Sequence, residues 1–172
     1  LFLLSLALAA VADPAAAETV RDASSVVQAS PEIQRYIDQM LECSPTFRLQ
    51  YQRILETPHV IVTARVQPTG LGSVSFRARS TIRRYASGLL IVTMDIAPGS
   101  NQVQWIAHEF EHVLEQLDGI DVHEQASRGL GGSWYSGDHA VETLRAVRAG
   151  RQVQQEVRRG ESRSDKVVES GQ

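Results

Sequence analysis

Cysteine is nearly absent from this sequence: Cys43 stands alone among 172 residues. A single thiol excludes an internal disulfide, so the fold must be held by its core or by a metal. Cys43 itself reads as a buried cysteine rather than a nucleophile. An excess of charge of one sign is lacking too. With 17 Lys and Arg against 20 Asp and Glu, the net charge is −3, which argues against nucleic-acid or anionic-membrane binding. The one basic cluster, Arg77, Arg79, Arg83 and Arg84, reads as a solvated strand face. No apolar run reaches the roughly 20 residues that a membrane-spanning helix needs. Internal repeats are missing as well. What remains is 42% apolar and 22% charged residues, the composition of one ordinary globular domain.

The longest apolar run is Leu1–Ala12, LFLLSLALAAVA, and it ends on small residues before a polar, Pro-containing stretch. That order is the apolar region and cleavage site of a secretory signal peptide, here without an initiator Met or basic start and so read as truncated. Export follows, to the periplasm or the medium, with no membrane span once the signal is cleaved. Residues 13–30 are rich in Ala, Ser and Asp and read as a linker. The domain is expected over residues 31–159, and the polar tail at 160–172 is expected to be disordered.

Within the domain, Ser30-Pro31 opens a helix whose apolar stripe is Ile33, Tyr36, Ile37, Met40 and Leu41. Ser44-Pro45 interrupts it, and residues 47–55 suit a second helical piece. Three strands follow: Val60–Val66, the alternating Ser73–Ile82, and the apolar Leu89–Met94. Their short connections predict antiparallel pairing. Ser100 or Asn101 then caps a helix that Gly119 stops. Val103, Ile106, Ala107, Phe110, Val113, Leu114 and Leu117 form its core stripe. A glycine-rich loop is expected over 120–137, and a last helix from Ala140 to about Arg159.

The helix of residues 102–118 carries His108-Glu109-Phe110-Glu111-His112. A spacing of four sets both imidazoles on one face, able to reach one tetrahedral Zn²⁺. Glu109 is then placed to take a proton from an activated water and hand it to a leaving amine. Both histidines lie opposite the apolar stripe, beside Gln104 and Glu115, so they face water or a covered cleft. Glu111 and Glu115 read as solvated, or as holding a ligating imidazole. A catalytic zinc needs a third protein ligand. Asp118 would suit a pattern with glycine at position 115, but Glu115 continues the helix and excludes it. Glu142, near the start of the last helix, is the candidate, with His139 and His123 as alternatives and Asp138 as a cap or a partner of a ligand. Small residues at Ala146, Ala149 and Gly150 would allow that helix to come close. Tyr135 is a candidate oxyanion donor from the intervening loop, or a packing residue.

These residues resemble the zincins, the HExxH metallopeptidases, and the late glutamate is similar to the gluzincin branch. Gluzincins commonly carry Glu-x-x-x-Asp at this ligand, whereas Ala146 stands at the last position here. HEFEH followed by ET-x-x-A also resembles small exported bacterial proteins. The resemblance spans roughly residues 58–157. It implies an α+β fold with a minimal zincin-like core: a short antiparallel sheet, an HExxH helix and a following ligand-bearing helix. It further implies a zinc-dependent peptidase acting on a peptide or protein, with Leu89–Met94 bordering the cleft and pairing with an extended substrate. A different class of function, a non-catalytic zinc-binding exported protein with the same fold, is the alternative.

Overall fold

The apolar alternation of the middle strands and the amphipathic helices around them build an α+β fold, seen in a computed structural model that describes residues 26–67, 77–136 and 140–169, with side chains to residue 162. In chain order the elements are β1 (Val26–Ala29), α1 (Pro31–Cys43), α2 (Pro45–Glu56), β2 (Val60–Val66), β3 (Ala78–Arg84) and β4 (Leu90–Ile96). Then come α3 (Gln102–Leu117), α4 (Val122–Ser127), β5 (Ser133–Ser136), β6 (Ala140–Thr143) and α5 (Leu144–Glu169). The leader read at residues 1–12 and most of the linker lie outside the described residues, but the end of that linker forms β1.

The main sheet is mixed, in the order β1-β2-β4-β3, which corrects the expected antiparallel arrangement. β2 lies parallel to β4, with Val60 opposite Leu90, and β1 is parallel to β2. Only β3 is antiparallel, to β4. The argument from short connections assumed that consecutive strands are neighbours. Instead β3 leaves β2, takes the far side of β4 and lets β4 return between them. β4 therefore has a strand on each side and offers no edge to a substrate, contrary to the expectation for Leu89–Met94. Among the described strands the edges are β1 and β3.

Alternation decides which sheet face is covered. Val60, Val62, Ala64, Leu90, Val92, Met94 and Ile96 are buried on one face, while Ile61, Thr63, Ile91 and Thr93 on the other are half-buried. Against the covered face lie α1, through Ile33, Ile37 and Met40, and α3, through Ile106, Phe110 and Val113. α5 forms an outer helical layer against α3, α1 and α2. Among the described residues no helix is long and apolar enough to cross a membrane.

Two glycines set the depth of α5. A Cβ at Gly150 would lie 2.5 Å from the Gln104 carbonyl oxygen and 3.2 Å from His108 Cβ, so only glycine admits α3 this closely. Gly160 plays the same part against Cys43, where a Cβ would meet Cβ and Sγ at 2.9 Å. The contact lies just beyond Arg159, where the helix was expected to end, and α5 instead runs on to Glu169. The glycine serves an approach between helices, not a stop.

Glu156 ties α5 to the break between α1 and α2. Its carboxylate accepts from Ser44 Oγ at 2.5 Å, Thr46 Oγ1 at 2.8 Å and the Thr46 amide at 3.1 Å, while Ser44 Oγ caps α2 by accepting from Phe47 N at 3.0 Å. Burial raises the Glu156 pKa, but the bonds from Ser44, Thr46 and Gln152 outweigh it and hold the carboxyl below its usual value. A folded-state pKa that is depressed contributes stability above the unfolded value and loses it as pH falls through the folded one. Glu156→Ala is therefore expected to cost about 2 kcal/mol near neutrality and less as the pH drops below about 4. Urea denaturation of both proteins across that range checks it; a pH-independent difference would count against the charge.

Candidate metal centre

His108 and His112 stand on α3 because Gln102–Leu117 is a continuous amphipathic helix, and the turn between them aligns the rings. The helix is not capped as expected. Asn101 adopts a left-handed conformation at φ 70°, and its side-chain oxygen accepts from Gln154 on α5 at 2.8 Å instead of from α3. The face opposite the apolar stripe is covered by α5, so the two imidazole side chains are only 3% and 12% exposed.

The segment expected as one long loop is partly ordered into α4 and a two-stranded ribbon of β5 and β6. Asp121 caps α4 by accepting from Glu124 N at 2.8 Å, and positive φ at Gly129, Gly131 and Gly132 turns the chain back into β5. Glu142 therefore sits on β6 and not on the last helix, which corrects its expected setting. The cause is Thr143: its Oγ1 accepts from Ala146 N at 3.0 Å and so opens α5 only at Leu144.

From β6 the Glu142 carboxylate reaches His108 Nε2 at 3.0 Å, and His108 Nε2 lies 3.1 Å from His112 Nε2. One ligand atom from each of the three residues falls within 4.8 Å of the others. Donors about 2.0–2.1 Å from a tetrahedral ion stand about 3.3 Å apart, so the observed spacing suits a small cation. His112 Nδ1 is 2.8 Å from Glu115 Oε2, so in the neutral ring the proton sits on Nδ1 and the Nε2 lone pair faces His108.

Outer partners fix the ligands. Glu115, read as solvated or as holding a ligating imidazole, is 2% exposed; it accepts from His112 Nδ1 and from Thr143 Oγ1 at 2.6 Å. Glu111, 7% exposed, accepts from Gln50 Nε2 at 2.5 Å and from Arg145 Nε at 2.6 Å. Arg145 also reaches Asp118 at 2.6 Å, so the turn after Glu142 is bound to the far end of α3. Burial lowers the His112 pKa, yet the bond from Glu115 and the charges of Glu109, Glu115 and Glu142 raise it overall. Burial raises that of Glu142, but the hydrogen bond and charge of His108, then the charge of His112, bring it down. A metal held here would compete with protons for these groups, so its affinity would fall toward acid pH.

Glu109 is 4% exposed, and its Oε2 accepts from Ser80 Oγ on β3 at 2.5 Å. Tyr135 is not brought to this centre. In the ribbon register Trp134 faces Glu142, so Tyr135 points to the other side, where its hydroxyl is 3.4 Å from the His123 carbonyl oxygen. Its oxyanion role is withdrawn in favour of packing against the His123 ring. His123 is exposed and is not among the three converging residues, while His139 and Asp138 lie outside the described residues. Sequence reasoning missed Ser80 and Thr143. Both left signals: Ser80 is the polar residue at an inward position between Ala78 and Ile82, and Thr143 precedes an apolar helical run. No protein-family model matches this chain, and neither a curated protein nor a solved structure does.

Proposed function

We propose that this protein is a zinc-dependent peptidase of the zincin kind, exported by the leader read at residues 1–12. The observation that carries the reading is the convergence of His108, His112 and Glu142 beside a buried Glu109. Two imidazole nitrogens and a carboxylate oxygen are the donor set of a catalytic zinc, with one position left open. Bound zinc would polarise a peptide carbonyl and acidify a water. Glu109 would accept a proton from the attacking water and return it to the departing amine. Glu115 keeps the His112 ring in its ligating tautomer, and Glu142, with its side chain 31% exposed, marks the side open to solvent. An extended peptide lies along the β3 edge, whose Ser80 already touches Glu109.

A non-catalytic zinc protein is the second reading, favoured by the depth at which the histidines lie. Glu109 weighs against it. A carboxylate taken out of water beside a neutral hydroxyl costs stability, and a purely structural site gains nothing in return.

Mass spectrometry of tag-free protein tests the metal. About one zinc per chain is expected, lost from both His112→Ala and Glu142→Ala. Zinc retained by Glu142→Ala would move the third ligand to His139 or His123. No zinc after reconstitution would remove the reading altogether.

A further inference from the structure

We infer that Ser80 is the positioning residue for Glu109, holding one carboxylate oxygen so that the other faces the metal centre; this rests on the peptidase reading above. Ser80 Oγ donates to Glu109 Oε2 at 2.5 Å, across the contact between β3 and α3. With Oε2 held, Oε1 is the oxygen left for the proton that Glu109 must accept. An unheld carboxylate rotates between equivalent positions and spends less time in the productive one.

The placement is not a by-product of packing. Ser80 lies on the face of β3 that meets α3, opposite Met94 on β4 and flanked along its own strand by Ala78 and Ile82. An apolar side chain would suit that position better, and a hydroxyl there has Glu109 as its acceptor. Because β3 is an edge strand, and the one that packs on α3, the strand along which a peptide would lie also holds the base. Orientation of Glu109 and alignment of the peptide thereby share one element.

The test is a double-mutant cycle in zinc-loaded protein, read by the affinity of acetohydroxamate, which chelates zinc and gives its proton to a neighbouring carboxylate. Ser80→Ala is expected to weaken binding about tenfold with zinc content unchanged, and Ser80→Thr, which keeps the hydroxyl, to restore it. Glu109→Gln weakens binding more, and adding Ser80→Ala to it changes nothing further. In peptide hydrolysis the same loss should fall on kcat and leave KM as it was. Wild-type affinity in Ser80→Ala, or losses that simply add in the double variant, would overturn the positioning role while leaving the peptidase intact. A wild-type protein that binds no zinc would overturn both.

Discussion

Glu109→Gln should keep its zinc and lose hydrolysis by a factor of about 10²–10⁴. The amide has nearly the same volume, and its oxygen can still accept from Ser80, so the contact between α3 and β3 survives. What disappears is the ability to take a proton. Removing a charge from a position only 4% exposed also removes a desolvation cost, so the variant should be as stable as the parent or more so. Hydrolysis of a peptide library, zinc content and the thermal midpoint together separate the possibilities. Wild-type turnover in Glu109→Gln would sink the base role. Zinc binding without hydrolysis in the parent itself would favour the non-catalytic reading.

Glu115→Ala carries the other large effect, although Glu115 is not one of the three converging residues and acts through its bond to His112. It should weaken zinc by about 10–100-fold, as loss of an outer partner does in other metal sites. His112 would lose the acceptor that fixes its tautomer, and Thr143 Oγ1 would lose its bond at the start of α5. Each orphaned group costs about 1–3 kcal/mol, so the metal-free protein should also unfold at lower urea. Glu115→Gln keeps an oxygen for His112 and should fall between the two. Chelator competition measures the affinity; a value unchanged in Glu115→Ala would show that packing alone orients His112.

Much of this was legible in the sequence, for reasons that can be named. α1 and α3 declare themselves through apolar spacing and a proline or a glycine at their ends, and β4 through its unbroken apolar run. His108 and His112 follow from their spacing on a helix whose other face is core. Pairing was not legible, because strand order depends on contacts between residues far apart, and β3 could have stood on either side of β4. Glu142 was placed on the wrong element because Ala140–Thr143 has no periodicity long enough to distinguish a short strand from a first helical turn. Glu115 was left between solvent and a histidine partner for a related reason. From the helix alone its face is polar, and only the arrival of α5 turns that face into an interior.

The ribbon and α5 bring a last consequence, which concerns the order in which the chain is made. A ribosome delivers His108 and His112 well before Glu142 and Thr143, and the elements that enclose the histidines are the last ones described. Until they dock, α3 presents two imidazoles and no third donor. If the site holds zinc, the binding free energy favours chains in which β6 and α5 have docked, and acts as cohesion between α3 and those later elements. Cleavage in the β5–β6 ribbon would open the site from the same side on which synthesis completes it.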